Sequence, residues 1–97
     1  MAVAGASMEP ALRDGDWLLL VPARSARPGQ LVVVRDPADR ARLLVKRVLR
    51  ASPDGVEVES DARHRDHLAP RGTIQAADVV GRPVFRYAPL RRAGPVR

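Results

Sequence analysis

Two side chains in this 97-residue chain have types that together cut an acyl bond: the hydroxyl of Ser7 and the amine of Lys46. A serine hydroxyl is a weak nucleophile until a base takes its proton, and a neutral lysine at hydrogen-bond distance does this. Of 17 basic side chains, Lys46 is the only lysine. Arginine keeps its proton in a protein, whereas a buried lysine gives its proton up. The chain therefore holds one cationic residue able to become a neutral amine. A GC-rich genome produces the same arginine bias, and a lone lysine in a strand is commonly solvated. The pairing with a serine in a suitable backbone setting carries the sharper reading.

The elements around the two residues fit that chemistry. Ser7 lies in Gly5-Ala6-Ser7-Met8-Glu9-Pro10, where the proline keeps the backbone from closing into a helix around the serine. Asp14-Gly15 signals a tight turn, and residues 16–21 read as a first strand. Ser7 is thus expected on an extended segment just ahead of the first hairpin. Lys46 falls in Leu43-Leu44-Val45-Lys46-Arg47-Val48-Leu49, a strand over 43–50. Side chains alternate along a strand, so Lys46 shares a face with Leu44 and Val48. Desolvation on that apolar face is expected to lower its pKa.

Further strands are expected over 30–35 after the Pro28-Gly29 turn, over 56–59 after the Ser52-Pro53-Asp54-Gly55 hairpin, and over 81–87. Residues 36–40 read as a polar loop and 60–67 as a charged surface loop. No amphipathic helix is evident; Ala76 to Val80 allows a single turn. About five short strands separated by turn signals predict an all-β fold, a partly closed barrel or folded antiparallel sheet. One domain is expected over 1–88, with 89–97 a basic, flexible tail.

Composition narrows the function classes. Aromatics are 3%, so the core must be built from Val, Leu and Ala, and no stacking platform for single-stranded nucleic acid exists. The net charge of +6 suits acidic partners, including weak association with an anionic surface, but the arginines are spread along the chain and specific nucleic-acid binding is not expected. No cysteine means no disulfide, thiol nucleophile or zinc–thiolate site. No run of ~18 apolar residues marks a transmembrane helix, and the first six residues are too short for a signal peptide. The expectation is a cytoplasmic protein, membrane-peripheral if translation starts further upstream. His64 and His67 with Asp61 or Asp66 offer a metal or triad alternative, but two histidines in so charged a loop read as solvated. No cofactor and no metal are expected.

Five segments in order resemble the boxes of the type I signal peptidase family: Ser7-Met8-Glu9-Pro10, Gly15-Asp16 with the following strand, Pro28-Gly29-Gln30-Leu31-Val32-Val33, Val45-Lys46-Arg47-Val48, and Asp78-Val79-Val80-Gly81-Arg82. The likeness spans about residues 3 to 88. It is nearest the small branch identified as nickel-type superoxide dismutase maturation proteases. LexA-type self-cleaving repressors, a related clan, share the Ser-Met-x-Pro and Gly-Asp features and a serine–lysine pair.

The resemblance implies a serine endopeptidase with Ser7 as nucleophile and Lys46 as general base, removing an N-terminal leader from a precursor bound in extended form. It places Gly5, Ala6 and Met8 at the oxyanion and substrate-binding positions, with the Ser7 backbone N–H as oxyanion donor. Ala4 and Ala6 suit a shallow pocket, and strands 16–21 and 30–35 are expected to flank the peptide groove. The chain departs from the family pattern where Gly-Asp-Asn is usual: it reads Ser60-Asp61-Ala62, then Asp66-His67 before Gly72. The family's second serine helps orient the lysine; here Asp66 and His67 stand in that region as its expected supports. The alternatives are a LexA-type regulatory or self-cleaving module and an inactive peptide-binding β-domain.

Overall fold

Four apolar residues, Leu31-Val32-Val33-Val34, form the centre of the molecule, and all four are buried. β-branched side chains suit a pleated surface, and an unbroken apolar run suits a strand covered on both faces. In the computed structural model they open strand β2 (Leu31–Asp36). Val32 and Val34 enter one core cluster with Val48, Val56, Val58, Ile74 and Val79. Leu31 and Val33 point the other way, into a cluster with Val3, Met8, Leu12, Leu18 and Val45. The structure describes residues 1–3, 8–9, 11–23, 25–61 and 71–96.

Around β2 lie β1 (Trp17–Pro22), β3 (Asp39–Ser52), β4 (Gly55–Glu59), β5 (Arg71–Gln75), β6 (Val79–Ala88) and β7 (Gly94–Pro95). They form one antiparallel sheet in the order β1-β6-β2-β3-β4-β5, with β7 also on β6. The fold is all-β, and the sheet bends without closing. Three-residue 3₁₀ turns at Ala76–Asp78 and Leu90–Arg92 are the only helical segments among the described residues. No described helix is long and apolar enough to cross a membrane.

The turn signals act where their chemistry puts them. Gly15 and Gly29 take positive φ of 88° and 87°, conformations open to glycine and costly for side chains with a Cβ. Asp36 caps the tight β2–β3 connection by accepting the Ala38 N–H at 2.8 Å, so of the expected polar loop only residues 37–38 form the turn and the rest belongs to the two strands. At the β3–β4 hairpin, Ser52 stands opposite Gly55.

Two segments depart from expectation. The first is β5, which runs Arg-Gly-Thr-Ile-Gln and pairs with β4 from Glu59 to Gly55. Its single large apolar residue, Ile74, is buried in the core, too little pattern to read as a strand. The second is the tail, which turns back onto the sheet. Gly94 and Pro95 pair with Arg86 and Phe85, and Arg92 reaches Asp16.

Asp16 is 1% exposed. Its carboxylate accepts the Arg13 N–H at 2.9 Å, meets Arg92 Nε and Nη2 at 3.2 and 3.3 Å, and lies 3.5 Å from Arg86 Nε. Burial pushes the carboxyl up, but the Arg13 N–H, the Arg92 hydrogen bond and the two guanidinium charges outweigh it and hold the carboxyl below its ordinary value. The same turn secures the start of the chain: Val3 N–H donates to Asp16 O at 2.7 Å, and Gly15 N–H to Val3 O at 2.8 Å. Trp17, Phe85 and Tyr87, the three aromatic residues, are all exposed, so the core is aliphatic, as the composition required.

Candidate active site

Lys46 stands on β3 opposite Val32 of β2, on the pleat face of Leu44 and Val48, and its side chain is half-buried. Its Nζ donates a 2.8 Å hydrogen bond to Ser60 Oγ. Ser60 is the first residue past β4 and is 5% exposed. The next pair along the strands lies on the other pleat face. There Arg47 Nε and Nη2 grip Asp61 Oδ1 and Oδ2 at 3.1 and 2.7 Å, and Arg47 Nη1 donates to Gly29 O at 3.0 Å. Such a two-pronged guanidinium–carboxylate pair fixes orientation as well as charge. Two consecutive residues of β3 thus hold two consecutive residues leaving β4.

Lys46 also lines a cavity of about 120 Å³ with Met1, Ala2, Val3, Met8 and Arg42 to Val45. Residues 1–3 reach it as an added strand segment. The Leu18 N–H donates to Met1 O at 2.7 Å, and the Met1 ammonium donates to Leu18 O at 3.1 Å. Met8 is 2% exposed, and its carbonyl accepts the Leu12 N–H at 2.9 Å. Met8 and Lys46, some 38 positions apart in sequence, therefore wall one cavity.

The matched span decides the family. The Peptidase S24-like model matches residues 1–84. The chain belongs to the Peptidase S24-like family. No curated protein matches the chain. Peptidase S24-like proteins are serine peptidases and self-cleaving modules, so the match lies on the LexA-type side of the resemblance. It takes in β1 to β5 and most of β6.

Of the residues singled out in the sequence, the structure brings Met8 and Lys46 together. Ser7, Gly5, Ala6 and Ala4, with His64, Asp66 and His67, lie outside the described residues. Asp61, the one described member of the histidine–aspartate alternative, is bound by Arg47.

One expectation is overturned. Strands β1 and β2 do not flank a groove, because β6 lies between them and hydrogen-bonds to both. β4 pairs with β3 only over Arg47 to Ser52, and no described strand covers the outer edge of β3 from Asp39 to Lys46. Ser60 was missed as a site residue. Its signal was a hydroxyl next to Asp61 at the end of a hairpin strand, and reading it needed a register shift that motif spacing does not reveal.

Proposed function

We propose that the chain is a serine endopeptidase in which Ser7 attacks a peptide carbonyl and Lys46 moves the proton, removing an N-terminal leader from a protein precursor. The observation that carries this reading is the single lysine of the chain, its amine held by Ser60 and the residue lining a small cavity. That cavity is shared with Met8, the residue after Ser7. Family membership supports the reaction class.

The Ser7 hydroxyl loses its proton to the Lys46 amine as Oγ bonds to the carbonyl carbon. The tetrahedral intermediate expels the amine half of the substrate, which takes the proton from Lys46. Water, deprotonated by Lys46 in turn, hydrolyses the Ser7 ester and restores the hydroxyl. The Ser7 backbone N–H meets the oxyanion, and Gly5 and Ala6 leave room for substrate backbone. Ser60 holds Nζ in place, and the reading assigns no role to Asp66 or His67.

An extended substrate adds to the side of β3 beside Lys46 that no described strand covers, where backbone hydrogen bonds supply affinity. Met1, Val3, Met8, Leu44 and Val45 line the cavity beside Arg42 and Lys46, and its volume is small, which suits a small side chain next to the cut. The motif resemblance points to the nickel superoxide dismutase precursor as the substrate. The family match favours one second reading, a LexA-type module that cleaves itself.

Incubation with that precursor, read by intact-mass spectrometry, separates the two. One new precursor N-terminus with the mass of the peptidase unchanged is the expected result. A loss of mass in the chain itself supports self-cleavage. A folded wild-type chain that cuts neither substrate nor itself overturns both.

A further inference from the structure

A second cavity, of about 850 Å³, opens where the β1–β2 connection, the β3–β4 hairpin and β6 meet. Ligand sites commonly fall between about 300 and 1,000 Å³. Its charged lining residues are Arg27 and Arg82, and no acidic residue lines it. Asp54 and Glu57, the nearest acidic residues of the hairpin, line a different cavity. Arg82 and Arg86 are both half-buried on β6. Arg86 has the Asp16 carboxylate at 3.5 Å, whereas neither Arg82 nor Arg27 meets a carboxylate among the described residues. A partly desolvated guanidinium favours an anion brought from outside, which it grips with two parallel N–H groups.

One wall of this cavity is fixed in advance. The Arg27 N–H donates to Gln30 Oε1 at 2.8 Å, and the Gln30 N–H to Arg27 O at 3.0 Å. The turn is tied to β3, because the Gly29 N–H donates to Val48 O at 2.8 Å and Gln30 O accepts the Val48 N–H at 2.9 Å. A wall ordered before binding lowers the entropy cost of binding. Gln30 and Arg82 also line an adjoining cavity of about 290 Å³ that includes Val84 and Val96, so a ligand longer than a single ion has room beside Arg82.

We propose that the Arg27–Arg82 cavity binds acidic side chains of a peptide, at a place distinct from Lys46. The choice of a peptide rests on the peptidase reading above, and the lining supports it. Ser25, Ser52 and Gln30 can donate to peptide carbonyls, and Ala26, Ala51 and Pro53 give apolar contact. Trp17, Phe85 and Tyr87 all lie outside the lining, so a nucleotide base finds no ring to stack on. Ala51 stands on the same strand as Lys46, roughly 16 Å along it at strand rise. A substrate chain spans that distance in about five extended residues, so acidic residues at that separation from the cut would strengthen binding.

The test is isothermal titration of the full chain with the peptide acetyl-Glu-Ala-Glu-Ala-Glu-Ala-amide and with its glutamine counterpart. The variants are Arg82→Gln, Arg27→Gln/Arg82→Gln and Arg91→Gln, the last removing an equal charge from an exposed residue outside the cavity. Losing a hydrogen bond to a charged group weakens affinity by about tenfold or more. Arg82→Gln should therefore weaken the acidic peptide by about tenfold and the double variant further, with Arg91→Gln close to wild type and the glutamine peptide bound as weakly as by the double variant. Equal weakening by Arg82→Gln and Arg91→Gln would mean general attraction to a basic chain and overturns the proposal, as does no binding by a folded wild type. Inorganic phosphate or adenosine monophosphate binding more tightly than the peptide, and losing its affinity in the double variant, overturns the choice of a peptide. The readout needs no cleavage. A chain that binds the acidic peptide through Arg82 yet cuts no precursor upholds the cavity and sinks the peptidase reading instead.

Discussion

Replacing Asp16 with asparagine keeps the shape of the side chain and removes its charge. The carboxylate answers Arg92 at 3.2 Å, Arg86 at 3.5 Å and the Arg13 N–H at 2.9 Å. The amide of Asn retains one accepting oxygen but turns an N–H₂ toward one of these donors. Breaking a buried ion pair from one side costs about 3–5 kcal/mol. The arginine side chains are 12% and 20% exposed, so water relieves part of the loss and the low end, about 3 kcal/mol, is the expectation. For a domain of this size that corresponds to a fall in melting temperature of about 12–24 °C.

The pH dependence gives the sign. The folded carboxyl titrates below its ordinary value of 3.8, so its contribution is fully present above that value and is lost as pH falls through the folded one. Thermal melts of wild type and Asp16→Asn, followed by circular dichroism, should differ most near neutral pH and converge below about pH 4. The Val3 and Gly15 amides, which close the first turn against residues 1–3, should also lose hydrogen-exchange protection in the variant. A melting difference under about 3 °C at neutral pH, or one unchanged down to about pH 3, would show that the Asp16 charge does not hold the turn.

Other perturbations have equally definite outcomes. Gly81→Ala puts a Cβ into the Val21 carbonyl of β1 and should cost roughly 2–3 kcal/mol in urea denaturation by spreading β1 from β6. Arg47→Lys loses the two-nitrogen grip on Asp61 and should weaken stability by about 1 kcal/mol, with cleavage lowered through the shifted neighbour Ser60. Ser60→Ala removes the acceptor held by Nζ; a hydrogen bond to a charged group contributes about 1.5–3 kcal/mol, so kcat should fall roughly tenfold to a hundredfold at unchanged KM. Removing residues 89–97 takes Arg92 away from Asp16 and should lower the melting temperature while leaving the strand spectrum intact.

Local chemistry made much of the fold legible. Asp14-Gly15, Pro28-Gly29 and Ser52 to Gly55 mark turns because their residues suit those backbone angles, and Leu31 to Val34 marks a strand covered on both faces. Non-local pairing was not legible. Nothing in residues 16–35 tells that β6, some 45 residues on, inserts between β1 and β2. β5 escaped because Arg71-Gly72-Thr73-Ile74-Gln75 has one apolar side chain to show. At the site, Lys46 stood out by being the single lysine. Its hydroxyl partner did not, because uninterrupted counting from the Gly55 turn leads to Asp61, and only the extra residue at Leu49 brings Ser60 across.

In the proposed mechanism Ser7 and Lys46 perform the cleavage. The most direct measurement is the rate of precursor cleavage by wild type, Ser7→Ala and Lys46→Arg, each checked for folding, from about pH 6 to about pH 10. The expected result is a wild-type rate that rises as an amine loses its proton, below the ordinary lysine value of ~10.4, and no cleavage by either variant. Cleavage that survives either substitution would contradict it.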